Sequence, residues 1–225
     1  PGFSSGSTKD AGSLKYCDLN GNGYLAFNTQ TGYFFGDMDV YMSEDAVRKN
    51  PICELLWKWA DQGWLHIVPG KTFDPAWPVN RIVELHNKGV NFMSFGYDPF
   101  NAKMVVNAMS QWVYDLGRDP KTIILPVRQN FATYNPAVSQ FDYLVKHSII
   151  DPETGHEKPW PLIHFSSNPL WPYCFGCTML QESNDGMENF KPVKKDHSPS
   201  TKVDPVQMLL SGIILYDMAE EQLQY

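Results

Sequence analysis

Residues Val90 to Val106, VNFMSFGYDPFNAKMVV, constrain the fold more than any other stretch of the chain. Val90 to Tyr97 is apolar and aromatic, with only Asn91 and Ser94 as polar breaks, which predicts a strand buried on both faces of a sheet. Asp98 and Pro99 follow, and after Asn101 the residues Met104, Val105, Ala108, Met109, Trp112 and Val113 recur at helical spacing. A carboxylate leaving a buried strand just ahead of a helix lies where open α/β sheets collect their reactive groups. An ionised acid is costly inside a core, so an Asp there usually caps a helix or holds a metal.

The preceding residues predict an antiparallel meander. Residues 1 to 12 are Gly/Ser-rich and read as a loop with at most a strand stub at Gly2-Phe3. Ser13 to Cys17 and Tyr24 to Asn28 read as short strands joined by Asp18-Leu19-Asn20-Gly21-Asn22-Gly23, and Gly32 to Met42 as a third. The DLNGNG segment imitates a calcium loop, but its twelfth position is Thr29 where a bidentate Glu belongs, so a hairpin turn is the better reading. Further along, helices are expected after Pro51, from Pro75 or Pro78 to Gly89, from Pro136 to Ile149, from Asn168-Pro169 to about Leu180, and from Asp204-Pro205. Short strands are expected at Trp64 to Val68, Thr122 to Pro126 and Leu162 to Phe165, with Asp151 to Pro161 a surface loop. This order predicts an α/β fold: a mixed sheet, an antiparallel meander plus parallel strands, flanked by helices.

With 225 residues and 43% hydrophobic content, the chain can bury one core, and a single domain over 1–225 is expected. A net charge of −7 does not advertise nucleic-acid binding by the whole surface. A local basic stretch remains, Gln181 to Ser200 with Lys191, Lys194 and Lys195, either contacting a polyanion or simply solvating a loop or hairpin. No apolar run approaches the roughly 20 residues needed to span a bilayer, so a soluble protein is expected. Four scattered cysteines argue for a reducing compartment. Cys174 and Cys177 lack a nearby second ligand pair and read as buried small hydrophobes, not a zinc site. There is no P-loop and no G-x-S-x-G elbow. The opening PGFSSGS reads as a piece of something longer.

Asp98-Pro99 and Asp204-Pro205 form a parallel: each acid precedes a Pro-started helix, and each alone reads as an N-cap. Together, carboxylates from separate elements can build an oxygen cage for Mg²⁺ or Mn²⁺, and two such ions can clamp the attacking and leaving oxygens of a phosphodiester. Asp10 in the N-terminal loop is the third candidate.

The motifs then point to a family. GFSSGSTKD, VNFMSFGYDPFNAKMVV, Asn168-Pro169-Leu170-Trp171 and STKVDPVQMLLSGIIL occur in the order seen in the nuclease domain of bacteriophage terminase large subunits, which this chain resembles over nearly its whole length. The resemblance implies an RNase H-like fold and metal-dependent hydrolysis of concatemeric double-stranded viral DNA. It implies Asp98, Asp204 and Asp10 as catalytic and metal-binding residues holding two ions of Mg²⁺ or Mn²⁺, with Lys191, Lys194, Lys195 and Lys202 contacting DNA. It implies as partners the terminase ATPase domain, absent from this chain, with the small terminase subunit and portal protein, in the cytoplasm of a bacterial host. Ser4 stands where the family's first acid is expected, and the next acid is Asp10. The alternatives are a catalytically silent RNase H-like packaging or docking module, and another RNase H-like enzyme such as a resolvase or transposase core.

Overall fold

The longest strand, Tyr33–Ser43, alternates buried and more exposed positions through Met38 and is buried from Tyr41 onward, as a strand passing from a half-covered to a fully covered region should be. The sheet is organised on it. The computed structural model describes residues 2–5, 20–71, 74, 76–99, 102–184 and 186–223. The first elements are β1 (Gly2–Ser5), β2 (Asn20–Asn28), β3 (Tyr33–Ser43), α1 (Glu44–Arg48), α2 (Cys53–Asp61), β4 (His66–Val68) and α3 (Ala76–Asn87). Then come β5 (Phe95–Tyr97), α4 (Lys103–Asp115), α5 (Pro120–Ile123), β6 (Ile124–Pro126), α6 (Phe131–Lys146), β7 (Ser148–Ile150) and β8 (Glu157–Pro161). The last are β9 (Ile163–Phe165), α7 (Leu170–Gly176), β10 (Thr178–Glu182), β11 (Phe190–Lys194) and α8 (Asp204–Leu223).

The main sheet has the order β4-β3-β2-β1-β5-β6, with β9 also on β3. Strands β1, β2 and β3 form an antiparallel meander, and β5 and β6 add in parallel beyond β1. Strand β3 carries two short parallel partners, β9 at Phe34 to Gly36 and β4 at Tyr41 to Ser43. This is the mixed RNase H-like arrangement expected from the residue pattern and the resemblance.

Register partners share a face of a sheet. Met38, Gly23, Ser4 and Gly96 are paired across β3, β2, β1 and β5, so they form one row on one face. That face carries the larger apolar cluster, in which Met38, Val40 and Met42 meet Tyr134 and Leu144 of α6, Trp171 of α7 and Met208, Leu209 and Ile213 of α8. Phe95, one residue out of the row, belongs instead to the second cluster with Val79 and Ile82 of α3 and Met109 and Val113 of α4. Helices therefore cover both faces.

Several local expectations are corrected. The DLNGNG segment is not a turn across residues 20–23: β2 runs unbroken from Asn20. Its two glycines are inside the sheet for different reasons: a Cβ at Gly21 would run into the Asp39 backbone of β3, whereas α8 lies directly on Gly23. A Cβ at Gly23 would sit 2.6 Å from the Met208 Cβ, so only a residue without a side chain admits the helix at that distance. The expected strand at Ser13 to Cys17 lies outside the described residues, and the stub at Gly2-Phe3 is a four-residue central strand. The strand expected over Val90 to Tyr97 narrows to Phe95–Tyr97, because the ladders from its parallel neighbours reach no farther.

The helix expected at Pro136 begins at Phe131, since the Asn130 side chain accepts from Thr133 N at 2.8 Å and caps it there, leaving Pro136 inside. A one-turn helix, α5, replaces the start of the strand expected from Thr122. Residues 148–161 form a hairpin, β7 with β8, where a loop was expected. The helix expected to reach Leu180 stops at Gly176, because Thr178–Glu182 pairs with Phe190–Lys194.

Candidate functional site

Strand β5 delivers Asp98 to the carboxyl edge of the parallel pair β1–β5, where Ser4 and Ser5 are in register with Gly96 and Tyr97. The chain leaving β6 is fastened beside it: Val127 N donates to Tyr97 O at 2.8 Å. Two residues on, Gln129 Nε2 donates to Asp98 Oδ2 at 2.9 Å. The next residue, Asn130, is the cap of α6. Asp98 and Gln129 are both half-buried.

The last helix supplies the second acid. Asp204 opens α8 and is 4% exposed, in a run where Thr201 to Val206 are all buried. Over residues 201–213 only Gln207 reaches solvent, and its Nε2 donates to Gln129 Oε1 at 3.5 Å. A further turn along, Ser211 Oγ donates to Gln207 O at 2.9 Å.

Both acids bear on buried titratable groups. The phenol of Tyr134, on α6 and 1% exposed, is pushed well above its ordinary value, first by burial and then by the negative charges of Asp98 and Asp204, while a hydrogen bond with Ser211 opposes the rise. On the other flank of Asp204 lies the Cys174 thiol, also raised, by burial first and then by the Asp204 charge, with the Lys202 ammonium pulling it down. Cys174 and Cys177 are buried in the core, in keeping with their reading as small hydrophobes.

Four lysines were candidate DNA contacts, and the structure separates them. Lys191 stands on β11 with its ammonium 4.6 Å from the Phe131 ring centre, next to the residues that hold Asp98. Lys194 is half-buried on the same strand. Lys195 is exposed and its Nζ donates to Gly176 O at 3.0 Å. Lys202 differs from the surface reading: it is 1% exposed, because the segment entering α8 runs through the core, and its charge faces the surroundings of Asp204 and Cys174. Asp10 lies outside the described residues, and of Ser4 only the backbone pairing is described. Gln129, Gln207 and Tyr134 were not singled out from sequence, because an isolated Gln or Tyr carries no spacing signal.

Among the described residues no group of three or more His, Cys, Asp or Glu side chains could hold a metal ion. The two acids of the candidate site are Asp98, at the exit of β5, and Asp204, at the start of α8. Hard carboxylate oxygens in that number suit Mg²⁺ or Mn²⁺, which bind through one or two carboxylates and complete their shell with water and substrate phosphate, and do not suit a closed all-protein cage.

Neither a family model nor a curated protein matches the chain. Among solved structures the chain is similar to the HK97 bacteriophage large terminase, with a TM-score of 0.65 at 15% identity. The match covers 95% of this chain and 38% of that one, so the chain spans well under half the length of its structural neighbour. At that identity the likeness shows the fold, which is terminase-like.

Proposed function

We propose that the chain is a divalent-metal-dependent endonuclease domain of a DNA-packaging terminase, cutting concatemeric double-stranded viral DNA. The observation that carries this reading is the link between Asp98, at the exit of β5, and the helix that Asp204 opens, made by Gln129 and Gln207 through hydrogen bonds of 2.9 and 3.5 Å. The terminase-like fold supports it. On this reading Asp98 and Asp204 hold Mg²⁺ or Mn²⁺, with Asp10 as the further acid. When bound, such ions supply charge neutralisation and water activation for phosphodiester hydrolysis.

The protein's own groups do the rest. Asp98 is held by Gln129, and the burial of Asp204 keeps bulk water from one side of the site. Tyr134 stays protonated and can only donate or accept a hydrogen bond. On this reading Lys191, Lys194 and Lys195 contact phosphates, while the buried Lys202 offsets negative charge near Asp204. Double-stranded DNA, the ATPase domain, the small terminase subunit and the portal protein are the partners this reading names.

The test is incubation with supercoiled plasmid in Mn²⁺ and in EDTA, beside Asp98→Ala. Nicking is expected in Mn²⁺ alone and should fall at least about 100-fold in the variant, more than is usual for a residue that merely supports a metal ligand. A folded protein that leaves the plasmid intact in Mn²⁺ would instead favour a silent packaging module. Ser4, standing where the resemblance expects the first acid, is the observation that keeps this second reading in view.

A further inference from the structure

We infer that Gln129 is a positioning residue that orients Asp98, and that it does so through an amide relay anchored on α8 at Gln207. The inference deepens the nuclease reading and takes its catalytic meaning from it. The geometry of the relay itself is independent of that reading.

The order of atoms follows from chemistry. An ionised carboxylate only accepts hydrogen bonds, so the Gln129 amide must present its NH2 group to Asp98 Oδ2, at 2.9 Å. That choice leaves Gln129 Oε1 facing away, and the Gln207 NH2 group is the donor that meets it, at 3.5 Å. The relay thus has one direction, from the helix to the strand end, and neither amide can flip without losing its partner.

Its supports are fixed on both sides. Val127, two residues before Gln129, is 3% exposed and hydrogen-bonded to the end of β5, and Asn130, immediately after it, caps α6. Gln129 is therefore not a loose surface amide; the backbone on either side is pinned to the strand and to the helix. Gln207 lies one turn past Asp204, so the relay links the strand that carries one acid to the helix that carries the other. A side chain that holds a metal ligand at a set angle by hydrogen bonding does this job in many metal sites.

Two measurements test the relay. In the metal-free protein, nuclear magnetic resonance follows the side-chain NH2 signals of Gln129 and Gln207. Asp98→Ala should move both pairs, the first by loss of its acceptor and the second because its partner reorients. A Gln207 pair that stays in place overturns the relay, whatever the protein does with metals or DNA.

The second measurement is Mn²⁺ affinity by calorimetry. Gln129→Met keeps the volume and removes the amide, and should weaken binding about 10–100-fold with the metal-free melting temperature little changed. Gln207→Met, which leaves the bond between Gln129 and Asp98 available, should give a smaller loss of the same sign. Unchanged affinity in Gln129→Met overturns the positioning role. If Asp98→Ala itself binds Mn²⁺ as tightly as the parent protein, the metal-site reading fails, and the relay is then decided by the amide signals alone.

Discussion

Asp39 shows how much a single carboxylate's surroundings decide. Burial alone would push its carboxyl up, but the His66 ring 3.8 Å away and hydrogen bonds from Tyr24 and Arg81 hold it below the usual carboxylate range. Tyr24 Oη donates at 2.8 Å and Arg81 Nε at 3.0 Å. Because the folded value lies below the unfolded one, this group stabilises the fold above the unfolded value of about 3.9 and loses that contribution as the pH falls through the folded value. The melting temperature is therefore expected to drop as the pH goes below about 4, with a shallower acid limb in Asp39→Asn. Equal limbs in the two proteins would count against the network.

Asn168 makes a similar point about a motif. The Asn-Pro before the Trp-containing helix has a structural role here: the Asn168 side chain is 3% exposed and its Oδ1 accepts from Leu170 N at 2.9 Å. Asn168→Ala should cost about 1–2 kcal/mol in chemical denaturation, the usual loss for a helix-start acceptor.

At the scale of elements, the seat of α8 on β2 sets where Asp204 stands. Gly23 and Gly36 both sit under neighbours: Gly23 lies beneath Met208, and a Cβ added at Gly36 would come within 2.9 Å of the Phe165 ring. Alanine at either position should destabilise by about 1–3 kcal/mol through overpacking. The two should differ in function. Gly23→Ala displaces the helix one turn from Asp204 and is expected to lower Mn²⁺-dependent nicking per folded molecule, whereas Gly36→Ala should affect stability alone. Plasmid nicking, normalised to the folded fraction, separates them. The elements themselves were legible in the chain wherever periodicity was strong, as in α8 and β3. They were misread wherever pairing outweighed local pattern, as at DLNGNG, whose turn chemistry is real but is overridden by a helix more than 180 residues downstream in the chain.

For the whole molecule, charge sets the terms of any encounter with DNA. A net charge of −7 means that attraction must come from a local cluster, for which Lys191 on β11 and Lys195, the residue after that strand, are the candidates. Binding to a short duplex should be weak and should weaken further with salt. Removing one phosphate-contacting lysine should reduce the slope of log affinity against log salt by about 1. If the slope is the same in Lys195→Ala, that side chain does not contact phosphate. No helix among the described residues is long and apolar enough to cross a membrane.

By itself the sequence determined the mixed α/β class, the meander followed by parallel strands, and that Asp98 leaves a strand and Asp204 opens a helix, because hydrophobic period and an acid at an element's end are local properties of a chain. Tertiary structure alone decided the rest: that Gly23 of β2 is a helix seat, that Lys202 and Tyr134 are buried, and that Gln129 ties one acid to the helix of the other. Each of these depends on residues far apart in sequence meeting at a few ångströms, and nothing in the local pattern of a glutamine, a glycine or a tyrosine encodes which partner it will meet.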